Sequence, residues 1–166
     1  MSDNRIEVGQ ALPAANFQRL TDNGLVTLTT AQLFAGETVA LFALPGAFTP
    51  TCSAAHLPGF IALTEQFFQA GVDRIYCTAV NDAYVLDAWG KQQQAGDVQF
   101  IADGAGKFAS AIGMTTDSGD FGGIRSLRYS MLVVDGVVQL LNLDAPKTFE
   151  VSSAEVLLEQ IRQRGI

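Results

Sequence analysis

The apolar run Thr38 to Leu44 (TVALFAL) leads directly into PGAFTPTC, Pro45 to Cys52, and then into a stretch of helical periodicity. No other feature restricts the fold as strongly. An uninterrupted apolar run of this length reads as a strand buried on both faces, which needs partners above and below it. At its end, Thr49 is expected to cap a helix through its side-chain oxygen, and Pro50 suits the first helical position, where no N–H is required. Cys52 then falls in the first turn. There the backbone N–H groups lack intrahelical partners and the aligned peptide dipoles leave partial positive charge, so a thiolate is favoured over a thiol. That is the setting of a nucleophile.

Beyond this unit the pattern alternates. Leu57, Phe60, Ile61, Thr64, Phe67 and Phe68 recur at helical spacing, and Gly71 is placed to close the helix. Arg74 to Val80 (RIYCTAV) reads as a second buried strand ending at the turn residues Asn81 and Asp82, Ala83 to Gln94 as a helix, Val98 to Ala102 as a strand and Lys107 to Ile112 as a short helix. The glycine-rich stretch Thr115 to Ser126 is expected to be a loop. Arg128 to Val134, the turn Asp135-Gly136 and Val137 to Leu143 form a hairpin by their Asp-Gly signal. Ser152 to Arg164 closes the chain as an amphipathic helix capped by Ser152 or Ser153. The expected fold is α/β, a mixed central sheet with helices on both faces, and the order of elements suits a thioredoxin-like fold.

Bulk properties narrow the function classes. With 166 residues and a hydrophobic fraction of 48%, residues 1–166 are expected to form one domain with its own core. A net charge of -7 argues against nucleic acid or an anionic membrane surface as a partner. The opening MSDNRIEVGQ has no apolar leader, and no run approaches the roughly 20 apolar residues of a membrane span, so a cytoplasmic location is expected. Two cysteines and one histidine give neither a disulfide framework nor a Cys/His metal pattern.

Several blocks together resemble one family. PGAFTPTCSAAHLPGF is similar to the peroxidatic-cysteine motif of the peroxiredoxins in its type II, or atypical, form. RIYCTAVND, AYVLDAW, FIADG, IRSLRYSMLVVDG and FEVSSAEVLLEQI resemble members of that subfamily in the same order. The resemblance implies a thiol-dependent peroxidase that reduces hydrogen peroxide and alkyl hydroperoxides. It makes Cys52 the peroxidatic cysteine, Thr49 the hydroxyl that positions the peroxide, Pro45 the shield of the pocket and Arg128 the guanidinium near the thiolate. It implies no prosthetic cofactor, an external thiol reductant (glutaredoxin with glutathione, or thioredoxin) and a homodimer with loops near Phe48, Asp82 and Phe121 as contributors. Internal-disulfide members carry a cysteine late in the chain; Asp144 to Val156 here has none, which favours one-cysteine turnover. A peroxide sensor or redox-regulated chaperone would use the same cysteine. Dithiol exchange is disfavoured, because Thr49-Pro50-Thr51-Cys52 lacks the first thiol of CxxC.

Magnitudes indicate which group matters most. A helix terminus contributes about 0.3 to 1 kcal/mol, less than the roughly 1.36 kcal/mol of one pKa unit. A cation about 4 Å away, at an effective dielectric near 20, supplies up to roughly 4 kcal/mol before desolvation. Arg128 should therefore dominate. Because nucleophilicity falls as a thiol becomes more acidic, with a Brønsted slope of about 0.4 to 0.5, positioning and leaving-group stabilisation must contribute more than ionisation. Cys77, in mid-strand, reads as a core thiol, and His56 as a packing or hydrogen-bonding residue rather than a base. Arg125 stays unassigned. Pro58 and Gly59 interrupt the helical pattern soon after Cys52 and mark a first turn poised to unwind.

Overall fold

The computed structural model describes residues 4–164; residues 1–3 and 165–166, the ends of the expected domain span, lie outside the described residues. In chain order the elements are β1 (Asn16–Thr21), β2 (Gly24–Thr29), α1 (Thr30–Phe34), β3 (Thr38–Ala43), α2 (Leu57–Ala62), α3 (Thr64–Gln69), β4 (Arg74–Ala79), α4 (Ala83–Gln93) and β5 (Val98–Ala102). They continue as α5 (Lys107–Ala111), β6 (Thr115–Asp117), β7 (Ile124–Ser126), β8 (Tyr129–Val134), β9 (Val137–Leu143) and α6 (Ala154–Arg164). Among the described residues no helix is long and apolar enough to cross a membrane.

Seven strands form one mixed sheet in the order β2-β1-β5-β4-β3-β8-β9. The strands β3, β4 and β5 run parallel, and β8 closes on β3 antiparallel. As its apolar continuity requires, β3 is buried on both faces. Ala40 and Phe42 join one core with Phe60, Phe67, Trp89, Leu157 and Ile161 from α2, α3, α4 and α6. Val39, Leu41 and Ala43 join another with Leu33, Phe34 and Phe108 from α1 and α5. The first core holds Phe42 stacked on Phe60 at 4.0 Å between ring centroids. The expected α/β architecture, with helices on both faces, is therefore the observed one.

Several local expectations hold for the physical reason given. Gly71 ends α3 with φ +105°, and Asp135 and Gly136 both take positive φ (+48° and +77°), the pair a tight hairpin turn demands. Ser153, not Ser152, caps α6, its hydroxyl accepting from the Val156 N–H at 3.2 Å.

Three elements differ from the periodicity reading. Thr115 to Ser126 is not a loop but the small hairpin β6–β7. Its glycines at positive φ, Gly119 and Gly123, close a tight end where the Ser118 N–H and hydroxyl both donate to the Gly123 carbonyl at 2.7 Å. The run from Leu57 to Phe68 is two helices that meet at Leu63. There the Thr64 hydroxyl donates to the Phe60 carbonyl at 2.9 Å, a side-chain competitor that bends helices. Finally, β1 and β2 form an N-terminal hairpin in which only Phe17 is fully buried and the other residues are half-buried or exposed, a weak apolar signal.

Candidate functional site

The parallel strand β3 ends at the site. Chain reversal from Pro45 to Thr49 passes through Phe48, which is exposed and has φ +66°, an uncommon conformation for a bulky side chain. Residues 52–56 then form a π turn in which the Leu57 N–H donates to the Cys52 carbonyl. Pro58 explains this locally. Its ring would collide with the carbonyl four residues back in an α-helix, and the wider turn relieves that clash. The expected interruption at Pro58 and Gly59 is thus absorbed as a widened turn, and the chain stays helical through α2.

The cap expected at Thr49 is not made by its side chain. The hydroxyl turns back into the loop and donates to the Gly46 carbonyl at 2.7 Å, while the Thr49 carbonyl accepts from the Ser53 N–H. The left-handed step at Phe48 brings the Gly46 carbonyl within the hydroxyl's reach. A donor committed to Gly46 leaves the Thr49 oxygen with lone pairs but no free hydrogen.

Cys52 and Arg128, 76 positions apart, meet: Arg128 Nη2 donates to Cys52 Sγ at 3.2 Å. Cys52 is 0% exposed and Arg128 only 9%. The other terminal nitrogen, Arg128 Nη1, donates to His56 Nδ1 at 2.9 Å, and His56 Nε2 lies 3.0 Å from the Ser152 carbonyl. A guanidinium only donates and a carbonyl only accepts, so His56 must be neutral, with its lone pair on Nδ1 and its proton on Nε2. Phe149 lies 5.7 Å from the Arg128 guanidinium carbon and 5.0 Å from the His56 ring.

Burial, followed by the Arg128 charge, pushes the His56 pKa down to about 3, against the Ser152 carbonyl, which favours the cation. In the unfolded chain the ring protonates near 6.5. Between those values the unfolded chain binds more protons, so stability is lost as pH falls from about 6.5 towards 3. The Asp144 shift is also downward: burial raises its pKa, but donors from the Ser152 hydroxyl and the amides of Val151, Glu150 and Ser152 outweigh this and hold it low. Its contribution is present above the ordinary carboxylate value of about 3.9 and is lost below it. Urea unfolding at about pH 7 and about pH 4.5 isolates the histidine. We expect a lower midpoint at the acid value in the native chain and a smaller drop in His56→Gln; an equal drop in both would assign the loss to other groups.

Asp144 carries no signal of its own in the sequence, and Phe149 and Ser152 enter it only within the block FEVSSAEVLLEQI and as a candidate helix cap, not as site residues. Asp144 accepts from Ser152 Oγ at 2.6 Å and from three consecutive backbone N–H groups, Glu150 to Ser152. Such a carboxylate pocket arises from loop closure, not from periodicity. Pro45 and Arg128 line a common cavity of about 500 Å³ with Phe121, Pro146 and Lys147 at its walls. Arg125 is used elsewhere. It donates to the Val80 and Gly122 carbonyls at 3.1 and 3.2 Å and lies over the Phe121 ring, fastening the β6–β7 hairpin to the end of β4.

Cys77 is fully buried in β4, in the same core as Cys52. Burial first, and then the neighbouring Cys52, push its thiol well above the ordinary value, which suits a core residue and not a nucleophile. Among the described residues no group of three or more His, Cys, Asp or Glu side chains could hold a metal ion. What the site offers chemically is one buried sulfur facing a guanidinium whose second arm is already engaged.

Residues 7–158 match the redoxin family. The chain is 45% identical to peroxiredoxin-2E-2, chloroplastic, of Oryza sativa subsp. japonica, over 94% of this chain and 72% of that protein. It is 41% identical to peroxiredoxin-2D of Arabidopsis thaliana, over 94% of this chain and 98% of that one. Among solved structures, reduced Prx3 from Vibrio vulnificus in complex with hydrogen peroxide superposes with a TM-score of 0.93 at 50% identity, covering 94% of this chain and 99% of that one. Oxidized Prx3 from the same organism superposes with a TM-score of 0.88. A buried cysteine paired to an arginine at the end of a central parallel strand, in a chain this similar over nearly its whole length to type II peroxiredoxins, places the protein in the redoxin family as a peroxiredoxin.

Proposed function

We propose that Cys52 is the peroxidatic residue of this thiol-dependent peroxidase and that Arg128, Thr49 and Pro45 form its reaction pocket. The observation that carries the assignment is the 3.2 Å hydrogen bond from Arg128 Nη2 to Cys52 Sγ. The Cys52 thiolate attacks one oxygen of ROOH, an S–O bond forms as the O–O bond breaks, and the departing alkoxide or hydroxide takes up a proton as ROH or water. Cys52 is left as the sulfenic acid. The guanidinium faces the charge that moves from sulfur to the leaving oxygen, where a preorganised donor is most effective. Thr49, with its hydroxyl hydrogen on Gly46, presents lone pairs that accept from a hydroperoxide O–H. Pro45 shares a cavity wall with Arg128, and the resemblance gives it the role of shielding the sulfur.

Hydrogen peroxide is a substrate by analogy with the Vibrio vulnificus relative, whose solved structure holds it. Resolution uses an external thiol: RSH displaces water from the sulfenic acid to give a mixed disulfide, and a second thiol releases Cys52 and a disulfide product. We assign glutaredoxin with glutathione as the preferred reductant, with thioredoxin able to substitute, a homodimer as the working form and the cytoplasm as its location. Support for a one-cysteine cycle comes from the buried, acidity-suppressed Cys77 and the absence of cysteine from Asp144 to Val156. Steady-state peroxide consumption with glutaredoxin and glutathione is expected to survive Cys77→Ser within about twofold. Collapse of turnover in that variant would assign Cys77 a resolving role.

A further inference from the structure

One loop holds Arg128 in three ways. Asp144 N–H donates to the Arg128 carbonyl at 3.0 Å, Phe149 covers the guanidinium at 5.7 Å, and the Ser152 carbonyl reaches it through His56. We propose that His56 is a positioning residue: anchored by Ser152 and, behind it, by Asp144, it sets the rotation of the Arg128 guanidinium so that Nη2 donates to Cys52 Sγ. This inference rests on the roles given above to Cys52 and Arg128.

The guanidinium is a rigid planar fork, so fixing one terminal nitrogen fixes the direction of the other. His56 Nδ1 takes Nη1 and leaves Nη2 for sulfur. The ring itself cannot turn without losing both of its bonds, since Nε2 is bound to the Ser152 carbonyl at 3.0 Å. That carbonyl is placed by the Asp144 carboxylate, which gathers the Ser152 hydroxyl and the N–H groups of Glu150, Val151 and Ser152. Between the arginine and the carboxylate, each polar group has one committed partner, and Phe42, Phe60 and Phe149 surround the ring with apolar surface. Because the Nδ1 lone pair is already occupied, the ring acts through Arg128 and not by taking a proton.

A double-mutant cycle tests this. Trp89, the only tryptophan, donates to Ser53 Oγ at 3.0 Å beside Cys52 and serves as the fluorescence reporter of oxidation by hydrogen peroxide in stopped flow. His56→Leu is expected to slow oxidation about tenfold or more in the native background but less than about twofold in Arg128→Met, while His56→Gln, which keeps an acceptor and a donor, recovers most of the rate. Equal losses in both backgrounds, or no loss in the native one, would overturn the positioning role. Should His56→Leu fail to fold by circular dichroism, Asp144→Asn carries the same cycle, again with its loss confined to the native background. An Arg128→Met rate equal to that of the native chain would bring down the reading of Arg128 itself, and this inference with it. A slow Arg128→Met with multiplying losses would remove the positioning role alone.

Discussion

Cys52→Ser is expected to abolish peroxide turnover, with a loss of roughly 10⁴-fold or more, the scale on which deleting a reacting nucleophile acts. The hydroxyl keeps the size and much of the hydrogen bonding of the thiol, so folding should be preserved. What it lacks is chemistry. A thiol ionises far more readily than an alcohol, and its sulfur is polarizable and accepts oxygen to form a sulfenic acid, which an alcohol oxygen does not. No second thiol can substitute, since Cys77 lies fully buried in mid-strand with its acidity suppressed. The measurement is hydrogen peroxide and organic hydroperoxide consumption in the coupled thiol assay, with Cys77→Ser as the matched control. Consumption by the Cys52→Ser protein at even a hundredth of the native rate would require another oxidisable centre and would overturn the assignment.

Arg128→Met is expected to lower the rate of Cys52 oxidation by about 10² to 10³-fold, the cost of losing one preorganised donor to developing charge, or about 2.7 to 4 kcal/mol. Methionine fills the volume beneath Phe149 but donates nothing to Sγ. It also leaves His56 Nδ1 without a partner, for which a stability loss of about 1 to 3 kcal/mol is expected, so the kinetics belong well below the melting transition. Arg128→Lys should recover only part of the rate, because a point charge cannot serve Cys52 and His56 with one rigid fork. Stopped-flow oxidation of all three proteins, at a common temperature below every midpoint, decides the matter. An Arg128→Met rate within a factor of two of the native one would leave the sulfur's reactivity to the helix end and the loop alone.

The fold was legible where local chemistry and tertiary environment agree. The run Thr38 to Leu44 is apolar at every position but the first, and a strand in mid-sheet buries both faces. Asp135-Gly136 adopts the positive φ its residue types favour. The N-terminal hairpin and the β6–β7 hairpin carry a weaker signal, because of their strand residues only Phe17 and Ser126 are buried and their pairing is held by backbone bonds that most side chains permit. Thr49 departs from its expected role for a related reason. A threonine before Pro50 can cap or turn inward, and the left-handed step at Phe48, invisible in composition, decided for Gly46.

For the reactive centre the division is sharper. Sequence alone determined that a cysteine lies in the first turn after a buried strand, that no second thiol stands at CxxC spacing, and that an arginine opens the strand read over Arg128 to Val134. These are consequences of order along the chain and of residue type. The resemblance also picks Arg128 for the sulfur, and the tertiary structure brings the two together; only the tertiary structure decided that Arg125 is used elsewhere, that His56 is neutral and holds the guanidinium's other arm, and that Asp144 gathers the loop behind it. Hydrogen bonds between groups 72 to 96 positions apart leave no periodic trace. They exist because antiparallel pairing of β8 with β3 brings Arg128 to the same end of the sheet as Cys52, where burial gives each donor few acceptors to choose from.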